Sequence, residues 1–154
     1  MPEELDSFDR KILRLLQADA SLSTAAVAES VGLSASPCWR RIDRLEREGI
    51  IKRRVAIVDG KKLGLDTEIF ALVTLNAHGR SNLEGFSAAI CDLPEILDCF
   101  VLMGSFDYLL RVVTSDIAAY EQFLYSKLSQ LPGVQGINSM VALSEIKSTT
   151  ALPV

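Results

Sequence analysis

A single histidine, three cysteines and no long apolar run restrict what this 154-residue chain can do. One imidazole, His78, cannot anchor a metal centre alone, and no cluster of ligand-type residues stands near it in sequence. There is no glycine-rich phosphate loop and no nucleophile–base pairing, so the sequence supplies no catalytic residues, no metal ligands and no cofactor motif. Cys38, Cys91 and Cys99 are odd in number and form no CxxC pair. That argues against a disulfide scaffold or a zinc site and points to a reducing cytoplasm. No stretch reaches the roughly 18 apolar residues of a membrane span. The opening Met1-Pro2-Glu3-Glu4-Leu5-Asp6 is acidic and lacks the basic-then-apolar order of a signal peptide. His78 reads as a loop residue, and Cys38 and Cys99 read as small apolar fillers.

What the chain does contain is a globular balance, 49% apolar and 23% charged. A mean hydropathy of +0.24 is high for so small a protein and predicts apolar surface covered by another subunit. The net charge of −4 hides an asymmetry. Residues 1–62 hold twelve Lys/Arg against ten Asp/Glu, and residues 63–154 hold four against ten. Seven of the sixteen basic residues lie between Arg40 and Arg54. Local charge, not the overall balance, decides whether a polyanion binds.

The first half reads as three short helices. Asp6 and Asp9 have the N-cap and N3 spacing of a helix start, and Phe8, Ile12, Leu15 and Leu16 follow on one face. Ser23 caps a second helix, with Ala26, Val27 and Val31 inward and Gly32 as its stop. Ala26 leaves that cap without a reciprocal acidic partner. Ser36 and Pro37 open a third helix over residues 36–48, with Trp39, Ile42 and Leu45 as its inner stripe and Gly49 beyond its end. Two short helices joined by a tight turn after a longer one make a helix-turn-helix. On the third helix Arg40, Arg44 and Arg47 recur opposite the apolar stripe, flanked by Arg41. An arginine fork matches guanine O6/N7 and clamps phosphates, and Arg40 and Arg41 lie nearest the helix start, where base edges are read. Ser34, Ser36 and the first-turn amides suit a phosphate. The alternative for such a helix in isolation is a solvated face, with Arg44 and Arg47 paired to Asp43, Glu46 and Glu48; the short helix and turn before it favour DNA. Residues 50–58 are β-branched and cationic at the start, the pattern of a wing strand, with Lys52, Arg53 and Arg54 in reach of a sugar-phosphate backbone. This gives a DNA-binding domain over 1–60, a linker over 61–66 and a second domain over 67–154.

The second domain alternates strands and helices. Residues 67–76 carry Ile69, Ala71, Val73 and Leu75 against Phe70, Leu72 and Thr74. A helix with Leu83, Phe86, Ala89 and Ile90 inward ends at Pro94. Strands over 96–103 and 108–114 enclose a hairpin at Gly104-Ser105-Phe106-Asp107. Ser115 or Asp116 caps a helix with Ile117, Tyr120, Phe123, Leu124, Leu128 and Leu131 inward. Pro132-Gly133 breaks it, and a long strand follows over 134–146. The order βαββαβ is ferredoxin-like, so the fold class is α+β. Two helices cover one sheet face. The other is apolar in pattern with no helix left for it, which predicts sheet-on-sheet dimerisation.

In this order the pieces resemble the Lrp/AsnC, or feast/famine, family of transcription regulators. The matching stretches include Asp9-Arg10-Lys11-Ile12-Leu13, Val31-Gly32-Leu33-Ser34, Ser36-Pro37-Cys38-Trp39-Arg40-Arg41-Ile42, Leu45-Glu46-Arg47-Glu48-Gly49-Ile50-Ile51, Asp107-Tyr108-Leu109-Leu110-Arg111-Val112 and Leu131-Pro132-Gly133-Val134. Gly60 departs from the family's usual proline after the wing. The resemblance implies a winged helix-turn-helix joined to an effector-binding domain, dimers assembled into octamers as tetramers of dimers, and control by an amino acid. It implies an effector site between dimers near the hairpin, which maps onto Met103, Gly104, Ser105, Asp107, Tyr108 and Leu109, with Ser139 supplied by a neighbouring subunit. Physics is compatible with that mapping: Gly104 permits positive φ, Tyr108 offers an apolar wall with a hydroxyl, and Asp107 either pairs with an ammonium group or braces the hairpin. An ordinary tight turn would use the same residues. Two rival functions are a small-molecule-binding oligomer with protein-contacting helices and an enzyme. The arginine stripe argues against the first, and the missing catalytic groups argue against the second.

Overall fold

The computed structural model describes residues 4–77, 81 and 83–154, so His78 and the first three residues lie outside the described residues. The chain divides into two compact units, residues 1–57 together with 147–154, and residues 58–146. The last eight residues thus pack with the first unit, although the sequence pattern assigns them to the second domain.

In the first unit α1 spans Ser7–Ala18, α2 Thr24–Val31 and α3 Ala35–Arg47. Asp6 caps α1 by accepting the amides of Phe8 and Asp9, while the Asp9 carboxylate accepts the Asp6 amide at 3.2 Å. The expected capping box is present. Ser23 accepts the Ala26 amide at 3.2 Å and caps α2. Gly32 ends α2 at φ 76°, a left-handed conformation costly for residues with a Cβ. The N-cap of α3 is Ser34 and not Ser36. Pro37 thus sits at the third helical position, still inside the first turn, where no helical amide bond is lost. The core joins Ile12, Leu13 and Leu16 to Val27, Ala28 and Val31 and to Cys38, Ile42 and Leu45. Three positions differ from the expected stripes. Leu13 is buried while Phe8 and Leu15 are half-buried, Leu15 packing on the edge of the core; Ala28 is buried and Ala26 half-buried; and Cys38 is buried where Trp39 is exposed, while Ile12, Leu16, Ile42 and Leu45 hold their expected places.

Residues 50–58 form no strand. Ile50 and Ile51 pack half-buried against the helical core, and residues 52–58 are exposed, with Val55, Ile57 and Val58 in solvent. Their β-branched composition favours extension, but no second strand lies beside them among the described residues to complete a ladder.

In the second unit β1 (Thr67–Leu75), α4 (Leu83–Cys91), β2 (Ile96–Val101), β3 (Tyr108–Thr114), α5 (Ile117–Ser126) and β4 (Val134–Val141) follow the expected βαββαβ order. The sheet order is β2-β3-β1-β4 and every pairing is antiparallel. Asp116 caps α5 by accepting the Ala119 amide at 2.7 Å. One face, built from Ile69, Ala71, Val73, Leu75, Tyr108, Leu110 and Val112, packs on Phe86 and Ile90 of α4 and on Tyr120 and Phe123 of α5. Ile117, expected inward, is exposed, and β4 ends at Val141, not at residue 146. Cys99 is exposed on the edge strand β2, not a core filler, while Cys38 is fully buried. Burial pushes the Cys38 thiol up in pKa, as expected of a thiol used as an apolar filler.

Opposite residues in an antiparallel pair share a face. The registers Phe70↔Met140, Leu72↔Leu109 and Phe100↔Leu109 therefore collect these apolar side chains on the second sheet face. Arg111 lies among them, held by Asp98 from β2 and Glu68 from β1.

Candidate nucleic-acid interface and effector region

The geometry of α3 is set by one carboxylate. Asp9 is 1% exposed on α1 and receives Arg41 Nη1 at 2.8 Å and Arg44 Nη2 at 2.6 Å. Arg41 also donates to Asp6 at 2.7 Å, and its guanidinium lies 5.5 Å from the Phe8 ring centroid. The bond to Asp9 is the main reason the Arg41 guanidinium titrates higher than usual, and burial opposes it. The bond from the Asp9 amide leads the contributions that lower the Asp6 carboxyl. A buried charge is costly unless paired, so this network fixes the rotation of α3 about its axis relative to α1. It also draws Arg41 and Arg44, both expected at DNA, into contacts within the protein.

That rotation decides which side chains face out. Residues at 100° per step place Ser36, Arg40 and Arg47 opposite Cys38, Ile42 and Leu45. Arg40 is exposed and makes no ion pair among the described residues. Arg47 is exposed and pairs with Asp43 at 3.0 Å, a helix-surface contact of small strength. Lys52 and Arg53 on the extended segment are exposed and make no ion pair among the described residues. Arg54 is different. It reaches Glu46 at 2.9 Å and the Ala20 carbonyl at 3.3 Å, fastening the segment to α3. Of the eight residues expected at DNA, then, Ser34, Ser36, Arg40, Lys52 and Arg53 are exposed and uncommitted, while Arg41, Arg44 and Arg54 have partners inside the unit.

The effector region divides more sharply. Met103, Gly104 and Ser105 form the exposed tip between β2 and β3. Gly104 has φ 159°, at the outer edge of the glycine region, and a Cβ there would meet no atom within 4 Å. Asp107 braces the hairpin, the second of the two roles open to it. Its amide donates to the Val73 carbonyl at 2.9 Å, its carbonyl accepts from Leu102, and its carboxylate accepts the Leu75 amide at 2.7 Å, where the β1–β4 register shifts. Tyr108 is no open wall, since it lies in the core 4.6 Å from the Phe86 ring. Leu109 faces the opposite side of the sheet. Ser139 pairs with Ala71 in the middle of β4, the edge strand farthest from β2, and its hydroxyl meets that of Tyr120. One chain therefore brings the tip residues together and leaves Ser139 apart from them.

Sequence reasoning missed Asp9 as an ion-pair centre and Trp39 as an exposed residue. It also missed the clamp on residues 147–154. There the Gln17 side chain accepts the Leu152 amide at 2.6 Å and donates to the Leu152 carbonyl at 3.2 Å, and Arg14 donates to the Val154 carbonyl. The first turn of α1 already showed an acid at Asp9 with a local purpose, which masked the second. No group of three metal-ligand side chains occurs among the described residues, and no helix among them is long and apolar enough to cross a membrane.

Residues 5–52 match the winged helix-turn-helix DNA-binding family, and residues 68–152 match the Lrp/AsnC ligand binding domain. The chain is 39% identical over 150 residues to the DNA-binding transcriptional activator DecR of Escherichia coli strain K12, covering 97% of this chain and 99% of that protein. It is 41% identical over 150 residues to the Bkd operon transcriptional regulator of Pseudomonas aeruginosa, covering 97% and 98%. A Neisseria meningitidis transcriptional regulator solved as a complex with L-Met superposes with a TM-score of 0.93 at 37% identity, covering 97% of each chain.

Proposed function

Because the chain belongs to the Lrp/AsnC family of DNA-binding transcriptional regulators, which are not enzymes, we propose that it reads DNA with the outward strip of α3 and answers to a free amino acid. Arg40 contacts a base edge, and Ser34, Ser36, Lys52 and Arg53 hold phosphates. Arg41 and Arg44 act at one remove, by fixing the helix that carries Arg40. The observation that supports this reading most is the pairing pattern: the arginines facing α1 are neutralised by Asp9, while Arg40 and the two cations at 52 and 53 are exposed without an ion pair among the described residues.

The amino acid is received at the exposed hairpin tip formed by Met103, Gly104 and Ser105, with Ser139 of a neighbouring subunit. The L-Met bound by the Neisseria protein supports an amino-acid effector, and methionine is the first candidate to test. Tyr108 and Asp107 shape the tip from behind. The apolar open sheet face forms the dimer, and dimers assemble through the tips into octamers, in the cytoplasm where the chromosome lies. A thermal-shift screen against the twenty amino acids tests the effector. A ligand at 100 times its Kd adds roughly 2.7 kcal/mol of apparent stability to what it binds. No shift with any of the twenty would overturn the effector reading. Loss of sequence preference in Arg40→Ala, measured by gel shift against operator and scrambled duplexes, tests the DNA reading, and equal loss on both would sink it.

A further inference from the structure

Trp39 is the one tryptophan in the chain, and it is 56% exposed. The other large apolar side chains of α3, Ile42 and Leu45, are buried. Spacing places Trp39 against Ser36 at i−3 and Asp43 at i+4, and Arg40 against the same two residues at i−4 and i+3 from the other side, so the four make one continuous surface. Arg41 flanks Arg40 on the side that is tied to α1 through Asp9; Trp39 flanks it on the other. The indole is thus a large apolar surface on an otherwise polar outer strip, available for burial by whatever that strip binds.

The unpaired charge of the same unit states the partner's chemistry. Arg40, Lys52 and Arg53 are exposed cations without an ion pair among the described residues, a pattern that suits a polyanion and not an apolar protein face. The major groove of DNA carries both features at once: phosphates along its walls and a single apolar group on its floor, the 5-methyl of thymine. We propose that Trp39 is a specificity-determining residue that packs on a thymine 5-methyl next to the base pair contacted by Arg40. This rests on the DNA-binding reading and adds to it a preference for thymine at one position of each half-site. The indole supplies apolar area and makes no phosphate contact, so its contribution is independent of salt.

The test starts from duplexes selected by the whole protein from a randomised 30-base-pair pool. Each selected thymine is then replaced in turn by deoxyuridine, which keeps the hydrogen-bonding edge and loses the methyl. For the parent, one position per half-site is expected to lose about four-fold in affinity, the worth of one buried methyl-sized group. Trp39→Ala and Trp39→Leu are expected to bind thymine and uracil duplexes equally at that position, with a salt dependence parallel to the parent's. Because the indole is alone, its fluorescence reports this site directly: iodide should quench it in the free protein, and the selected duplex should protect it. Undiminished thymine preference in both variants would overturn the inference while leaving DNA binding in place. An indole already shielded from iodide in the free protein would overturn it too, by showing that another copy of the chain covers it. A parent that selects no duplex at all would overturn the DNA reading, and the inference with it.

Discussion

Asp9 shows how much one side chain can settle. Its carboxylate closes the α1 capping box and holds two arginines from α3. Asp9→Ala would leave Arg44 without the Asp9 carboxylate and Arg41 with Asp6 alone. Removing one partner of a fully buried pair costs about 3–5 kcal/mol. The arginines here are a quarter exposed, so about 2–4 kcal/mol is expected, read as a lower urea midpoint of the first unit by far-UV circular dichroism. The capping role was legible from the Asp6–Asp9 spacing. The ion pairs were not, because their partners lie 32 and 35 residues away. Tyr120 gives a pH-dependent case. Burial raises its phenol above the usual 10, and the bond to Ser139 pulls the other way. The folded state holds that proton more tightly than the unfolded chain, so the stability it confers is present below about pH 10 and is lost as pH rises through the folded value. Tyr120→Phe should flatten the fall in stability expected of the parent above about pH 10; an unchanged slope would remove Tyr120 as its source.

At the level of elements, existence and order were readable and rotation was not. The βαββαβ order follows from alternation and breakers, because period-2 and helical patterns differ over a few residues. Helix phase depends on which of two adjacent residues turns inward, and Cys38 and Trp39 are both apolar. Size alone would favour Trp39 inward, yet the buried position is taken by the smaller thiol of Cys38 and the indole stays outside. The extended segment is the converse case. Its β-branched residues promised a strand, but a strand requires a neighbour, and composition cannot supply one. The segment's cations carry a prediction of their own. Lys52→Ala and Arg53→Ala should each lower the salt dependence of DNA affinity by about one unit of slope, while Arg40→Ala changes which sequences are preferred. Equal slopes for parent and variants, measured by fluorescence anisotropy across salt concentrations, would take Lys52 and Arg53 off the phosphates. In the hairpin, Asp107→Ala removes the acceptor of the Leu75 amide, a loss of about 1–2 kcal/mol. Its effector response is therefore informative only at temperatures where the second unit is shown to be folded.

For the molecule as a whole, the open sheet face and the division of the chain matter most. Phe70, Leu72, Leu109, Phe100 and Met140 lie on one sheet face, half-buried or exposed, a contiguous apolar patch of the kind that marks an interface. Phe70→Lys should shift the protein toward smaller species in sedimentation velocity, without loss of DNA affinity for a single half-site. Retention of the parental size would point to another interface. The clamp between α1 and residues 147–154 has a consequence for how the molecule is made. The first unit is discontinuous, with the second unit inserted as an 89-residue excursion, residues 58–146, between its two segments. During synthesis the three helices emerge first and wait, and the sheet must be translated before residues 147–154 can dock on Gln17 and Arg14. A fragment cut at the apparent boundary near residue 57 therefore lacks a piece of its own domain. Adding a synthetic peptide of residues 147–154 to that fragment should raise its melting temperature, because the first unit is completed only after the second has been translated.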